Sequence, residues 1–183
     1  MIESGSMLAP VRSTQRLDLY RTELRHLSFY KILYQNEAVM KCLGGPIEDQ
    51  EIESQVRRRI ERWNTERVGG VVATLKDTQT LVGVGGLGRT EFTGKDDLEV
   101  GYIIAPGHEG NGYGMEFCRA LLEIGFESGV IRIVATPSPD NLASVNVLRK
   151  LGFSFVKEVR GNTPHLPNLK TQALWELAKT SFK

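Results

Sequence analysis

The apolar positions along the chain change period several times, and each change marks an element. Thr14–Tyr20 alternates polar and apolar residues, the pattern of a short strand with one buried face. From His26 to Met40 the residues Leu27, Tyr30, Ile32, Leu33 and Tyr34 cluster in a helix-like run, which Gly44-Gly45-Pro46 ends. Ile52, Val56, Ile60 and Trp63 form one stripe within a second helix, Ile47–Asn64. Its acidic start, Glu48-Asp49-Gln50-Glu51, and its basic later part, Arg57-Arg58-Arg59, suit the helix dipole.

Gly70–Leu75, Thr80–Leu87 and Leu98–Ile104 are runs rich in β-branched residues with short turn-rich links, which predicts an antiparallel meander. A glycine-rich turn, Gly107 to Gly114, leads into a helix reaching Gly129, with Met115, Cys118, Leu121, Leu122 and Phe126 on one side. Ile131–Ala135 reads as a short buried strand. Asp140 or Asn141 can cap a further helix ending at Leu151, with Gly152 in the favoured position after it. Phe153–Val159 and Thr171–Leu177 are two closing strands, joined by a loop containing Pro164 and Pro167. The order β-α-α-β-β-β-α-β-α-β-β predicts one α+β domain over residues 14–183. Its mixed, mostly antiparallel sheet should have about six to seven strands flanked by about four helices. Residues 1–13 read as a flexible tail, whether natural or vector-derived.

Composition narrows the classes. The 183 residues suit a single domain able to bury about 70% of its unfolded surface. With 23 Lys+Arg against 22 Asp+Glu, the net charge of +1 argues against broad binding to nucleic acid or an anionic membrane. Two cysteines, Cys42 and Cys118, are too few for a disulfide framework and point to the reducing cytosol. No run approaches the ~18 apolar residues of a membrane span, and Met1–Pro10 lacks a secretory signal. The expectation is a cytoplasmic monomer or homodimer.

Two glycine clusters compete for a phosphate-binding role. Gly83-Val84-Gly85-Gly86-Leu87-Gly88 fits G-x-G-x-x-G, but no helical stripe follows it, so a dinucleotide site is not expected. Its glycines suit a strand that another backbone or a ligand approaches closely. Glu109-Gly110-Asn111-Gly112-Tyr113-Gly114 has the right setting, following a strand and opening an amphipathic helix. Its backbone N–H groups and helix dipole can meet an anion. It lacks the Gly-Lys-Ser/Thr ending of a nucleoside triphosphate loop. Further on, Asn141 and Ser144 lie on one face at the start of the capped helix, placed for capping or for contact with a ligand.

Strand Glu99–Pro106, the Gly-x-Gly-Tyr-Gly loop and Asn-x-x-Ser-x-x-x-Leu-x-Lys-Leu-Gly-Phe together resemble the GNAT N-acetyltransferases. Within them the chain is most similar to the branch containing the ribosomal-protein N-terminal acetyltransferases. The opening Thr-Gln-Arg-Leu-Asp-Leu and closing Ala-Leu-Trp-Glu-Leu share the likeness, which covers roughly Thr14 to Ala178. The resemblance implies acetyl-CoA as cofactor, with CoA as product. Its pyrophosphate would lie on Glu109, Gly110, Asn111, Gly112, Tyr113 and Gly114, and its pantetheine arm along Ile103 and Ile104. Asn141, Ser144 and Asn146 would lie near the same arm. Glu109 departs from the Arg or Gln common there, and its carboxylate would repel a pyrophosphate unless it points outward.

Acetyl transfer to an amine requires a neutral nucleophile, a stabilised oxyanion and a protonated leaving thiolate. Leu98, Val100, Tyr102 and Ile104 alternate on one face of their strand, leaving Glu99, Gly101 and Ile103 on the other. Glu99 is the candidate base, since a carboxylate on so apolar a strand should have a raised pKa; the alternative is a solvated strand end. Many GNAT enzymes carry a proton-donating Tyr seven residues after the motif Asn. Here Leu148 stands there, and Ser144 is the substitute acid that the branch suggests. At pH 7, neutralising an α-amine of pKa ~8 costs about 1.4 kcal/mol, against about 4.6 for a Lys amine of pKa ~10.4. That favours a protein N-terminal α-amine or a small amine of low pKa, acetylated by direct transfer in a ternary complex.

The remaining conspicuous residues have plainer readings. His26, His108 and His165 lack ligand spacing, so no metal is expected. Cys118 and Trp63 read as core, and Arg57-Arg58-Arg59 as a solvated helix surface. Phe29, Tyr30 and Tyr34 either pack the core or line the acceptor pocket, beside the loop Arg160–Lys170. Two alternatives remain: a non-catalytic acyl-CoA-binding module, or an antibiotic or polyamine acetyltransferase, whose cationic acceptor would want an acidic cleft.

Overall fold

The computed structural model describes residues 9–90, 92–93, 97–160 and 171–182. Eight strands form one sheet: β1 (Arg12–Ser13), β2 (Leu17–Arg21), β3 (Gly70–Leu75), β4 (Leu81–Arg89), β5 (Leu98–Ile104), β6 (Arg132–Ala135), β7 (Ser154–Arg160) and β8 (Thr171–Ala178). Their order is β1-β2-β3-β4-β5-β6-β8-β7. Every pairing is antiparallel except β5 with β6. The helices are α1 (Leu27–Tyr34), α2 (Glu37–Met40), α3 (Asp49–Thr65), α4 (Tyr113–Glu127) and α5 (Leu142–Lys150).

The extra elements have local causes. The opening run divides into a hairpin: Thr14 Oγ1 accepts from the Leu17 N–H, turning the chain so that Arg12 and Ser13 pair with Leu19 and Asp18. The sheet therefore starts two residues before the expected boundary of the tail. Likewise the run His26–Met40 is not one helix. A 3-10 turn, Leu24–His26, precedes α1; then Asn36 turns extended and its side chain accepts from the Val39 N–H, starting α2. An Asn at that place favours a new N-cap over continuation of the helix.

The sheet separates two apolar cores, because side chains alternate across a strand. On one side α4 and α5 pack Phe117, Cys118, Leu121, Leu122, Val145 and Leu148 against Leu98, Val100 and their neighbours. On the other, α1, α2 and α3 bring Tyr30, Leu33, Met40, Ile52 and Val56 against Val72 and Val84. β4 carries the first glycine cluster as plain strand, and Gly83–Gly88 opens no helix. The glycines are there because neighbours press close: a Cβ on Gly86 would lie 2.3 Å from the Gly69 carbonyl oxygen.

One feature of this sheet creates space for a ligand. β5 pairs with β4 along its whole length, but its parallel pairing with β6 is confined to Leu98↔Ile133 and Glu99↔Val134. Beyond that point the two strands diverge. Among the described residues, 100–104 are left with one unpartnered edge.

Candidate active site

A cavity of about 580 Å3 opens at this divergence, and Glu99, Gly101, Tyr102, Ile103, Asn141 and Ser144 all line it. Because β5 alternates, its two faces deliver different groups. Glu99 and Ile103 lie toward α3, while Tyr102 lies toward α4 and α5, packed edge-on against Phe117 with ring centroids 6.2 Å apart. The cavity runs through the gap and reaches both.

Glu99 is half-buried, and desolvation of its carboxylate raises its pKa above the ordinary carboxylate range. The Thr136 hydroxyl, a second hydroxyl from Thr90 and the charge of Arg62 oppose that rise without cancelling it. The Thr136 contact has a defined polarity. Gln172 Nε2 donates to Thr136 Oγ1 at 3.2 Å and to the Thr136 carbonyl at 2.9 Å, so the hydroxyl proton is left to point at Glu99 Oε1. Neither Thr136 nor Gln172 carried a sequence signal, since a Thr before a Pro and a Gln in a closing strand are common.

Tyr102 lies beside Ser144, and burial raises its pKa well above that of a free phenol, so it stays protonated. The family's usual Tyr position, Leu148, is core here, but a phenol from β5 faces the same serine. The strand alternation had already placed Tyr102 on this face. It was missed because inward aromatics usually signal packing. Asn141 caps α5, accepting from the Ser144 N–H at 3.1 Å, and so fixes where Ser144 stands. Asn146 lies on an exposed face of α5, outside the cavity lining.

The second glycine cluster forms a loop running from the end of β5 to α4. Gly107, Gly110 and Gly112 have φ of +84°, +77° and +80°, values that glycine adopts without penalty. A Cβ at Gly107 or Gly110 would meet nothing within 4 Å, so conformation rather than crowding demands glycine there. Glu109 turns its carboxylate back on its own loop, accepting from the Gly107 N–H at 2.7 Å. Among the described residues, the N–H groups of Glu109, Gly110 and Gly112 donate to no protein acceptor. With the N-terminus of α4 behind them they form an anion cradle. Arg16 holds the cradle from below: it donates to the Asn111 carbonyl at 2.8 Å, pairs with Glu116 at 2.7 Å and stacks over Tyr113. Gly114 brings the helix start against Tyr102, 3.1 Å from where its Cβ would be. Ile104 packs beneath, outside the cavity lining. The cradle, the unpartnered β5 edge and the cavity together suit acetyl-CoA, an anionic head on a long amide-bearing arm.

On the other wall, α3 contributes Arg59 and Arg62, one helical turn apart. Arg59 lies inward, its Nη2 donating to Tyr34 Oη at 3.1 Å, so the triplet Arg57-Arg58-Arg59 is not uniformly solvated: Arg57 and Arg58 are exposed and paired with Glu53 and Glu51. Position 59 follows Val56 by three residues and so flanks the buried stripe, which is the signal that could have revealed it. Of the three aromatics of α1, Tyr34 lines the cavity, whereas Tyr30 is core and hydrogen-bonded to Thr22 at 2.8 Å, and Phe29 packs beside it. Trp63 is half-buried; its indole N–H donates to the Gly70 carbonyl at 2.7 Å and Arg21 stacks on its ring. The expected loop 161–170 lies outside the described residues.

Comparison with known proteins places this geometry. The acetyltransferase (GNAT) domain family matches residues 16–154. YkkB of Bacillus subtilis (strain 168), an uncharacterized protein, is 29% identical over 154 residues, covering 80% of this chain and 87% of that protein. The crystal structure of an acetyltransferase from Agrobacterium tumefaciens has the same fold, with a TM-score of 0.79 at 21% identity over 93% of this chain and 95% of that one. So does spermidine N-acetyltransferase from Vibrio cholerae, solved with CoA and spermine, with a TM-score of 0.75 at 19% identity over 92% and 98%. With the family matched across both the divergent strand and the glycine loop, the chain belongs to the GNAT acetyltransferases, acyltransferases that take their acetyl group from acetyl-CoA.

Proposed function

We propose that this chain acetylates the α-amine of a small molecule or a protein N-terminus, by direct transfer with both substrates bound. The observation that carries this reading is the placement of Glu99 and Tyr102. They are three residues apart on β5 and so sit on opposite faces of it, which lets a base and a proton donor reach one cavity from its two sides. When bound, acetyl-CoA supplies an acetyl group activated on sulfur. The residue 107–114 loop and the free edge of β5 would hold it, with Asn141 nearby.

Glu99 takes the proton from the attacking amine, directly or through a water molecule. Its raised pKa brings it closer to the pKa of an α-amine, which makes it a more effective base near neutral pH. The chain Gln172–Thr136 fixes one carboxylate oxygen, and the Thr90 hydroxyl is a second partner, so the carboxylate is held in place at the cavity wall. On the far side Tyr102 holds a proton at Oη beside Ser144, available to the departing sulfur. The easier neutralisation of an α-amine, about 3 kcal/mol less than for Lys, supports the acceptor class.

The test is turnover with two matched peptides and acetyl-CoA. One has a free N-terminus and no Lys; the other is N-terminally blocked and has one Lys. Release of the CoA thiol and acetylation by mass should favour the free N-terminus by at least tenfold. Equal rates would sink the acceptor class. Binding of acetyl-CoA, seen as a melting shift of about 5–11 °C near a hundredfold excess over the dissociation constant, with no acetylation of any amine would favour a binding-only module.

A further inference from the structure

We propose that the acceptor carries a carboxylate within a few bonds of its reacting amine, and that Arg62, supported by Arg59, holds it. This rests on the acetyl-transfer reading above and adds the substrate class.

The argument begins with a missing side chain. Gly88 stands directly opposite Glu99 in the β4–β5 register. An added Cβ at Gly88 would lie 1.9 Å from Arg62 Nη1 and 2.5 Å from Cζ, so the Arg62 guanidinium fills the place of the residue 88 side chain. Cross-strand neighbours have Cβ atoms about 4.5–5.5 Å apart. A guanidinium therefore sits one cross-strand spacing from the base, inside the cavity. Arg59, one turn earlier, meets only neutral groups: Tyr34 Oη, the Gly85 carbonyl at 3.5 Å and the Tyr30 ring at 5.9 Å.

Neither arginine has a carboxylate within 4 Å among the described residues; the described ion pairs of the α3 arginines are those of Arg57 and Arg58. Arg62 is partly desolvated, and burial with the nearby charges of Arg59 and Arg58 lowers its pKa, against Glu66 and Glu99. A charge stripped of water without a partner is costly, and a planar fork of N–H donors matches a carboxylate in two-point contact. Arg59 and Arg62 face the cavity together, against the single described carboxylate Glu99 in its lining. That field opposes a polycation such as spermine. The short distance between fork and base limits the acceptor to an amine with its carboxylate close by: the α-carboxylate of a free amino acid, or the side chain of an acidic N-terminal residue.

The experiment measures kcat/KM for the full chain with acetyl-CoA and paired acceptors. The pairs are free aspartate against its diamide, glycine against glycinamide, and peptides beginning with Asp against the same peptides beginning with Asn. Spermidine is included. Carboxylates should exceed their amides at least a hundredfold; the amino acid and peptide pairs tell which source is used. Arg62→Gln should reduce that ratio to a few-fold while leaving the acetyl-CoA dissociation constant unchanged. Gly88→Ala, which leaves α3 intact and displaces only the guanidinium, should do the same and covers the case in which Arg62→Gln fails to fold. Amides equal to carboxylates, or an unchanged ratio in a folded variant, would overturn the proposal. If nothing is acetylated, the transfer reading fails separately. The clamp is then judged by aspartate raising the melting temperature of the CoA-saturated wild type but not of Gly88→Ala; no such difference overturns it too.

Discussion

Replacing Glu99 by Gln removes one charge and almost no volume, so rate and stability should move in opposite directions. In the native chain the carboxylate is half-buried, and its desolvation outweighs Thr136, Thr90 and Arg62 in setting its pKa. The folded state therefore holds the proton more tightly than the unfolded chain. Stability from this group is fully present below the unfolded value of about 4.3 and is lost as pH rises through the higher folded value. Gln does not titrate, so Glu99→Gln should be more stable than wild type at neutral pH, with a difference that shrinks as pH falls through the folded pKa. Each kcal/mol gained would read as about 2–4 °C in melting temperature for a chain of this size. The rate should fall by the contribution of a positioned base, about 10²–10⁴-fold in kcat/KM or about 2.7–5.5 kcal/mol. The acidic limb of the wild-type profile should lie above the ordinary carboxylate range and disappear in the variant. Acetyl-CoA affinity should hold, since the loop of residues 107–114 makes no contact with Glu99 among its hydrogen bonds. Thermal melts between pH 4 and 8 and steady-state rates on the same samples settle it. A variant with full rate, or one less stable than wild type at pH 7, refutes the assignment of a desolvated base.

Three further outcomes follow from the site. Tyr102→Phe removes the proton at Oη but keeps the ring against Phe117; kcat should fall about a hundredfold, with acetyl-CoA affinity intact, and a full rate would exclude the phenol. Gly110→Ala places a side chain at φ +77° with open space around it, so stability should fall by about 1–2 kcal/mol, read by melting, while acetyl-CoA binding weakens as the loop shifts. Cys118 is fully buried and its thiol pKa is pushed up to about 12, so alkylation of the native protein at pH 8 should label the half-buried Cys42 alone, with Cys118 reacting only after unfolding, as peptide mass mapping would show.

What the chain discloses depends on how local the cause is. β3, β4, β5, α3, α4 and α5 were legible because each carries a sustained period, and the Asn141 cap because its mechanism is a single side chain meeting the next turn. The two places where one run proved to be two elements, at Thr14 and at Asn36, hinge on one polar side chain capturing a backbone N–H inside an apolar pattern. Glu99 stood out as a charge on an apolar strand. Arg59 and Arg62 did not, because arginines on a helix are ordinarily solvated. Only the register that sets Gly88 opposite Glu99 turns Arg62 inward. Thr136 and Gln172 come from distant parts of the sequence and meet solely through strand pairing, so no local pattern could announce them.

The divergence of β5 from β6 also bears on how long the protein lasts. An unpaired strand edge on the outside of a molecule invites other chains; here it lies in the middle of the sheet, facing the cavity. A ligand bound along that edge supplies cohesion that the polypeptide lacks, and its contribution grows with the logarithm of its concentration. Resistance to unfolding and to proteases is therefore set partly by the supply of acetyl-CoA and of CoA, which share the arm that would lie there. In cells depleted of both, the same chain should be degraded sooner, with no change in its sequence and no modification.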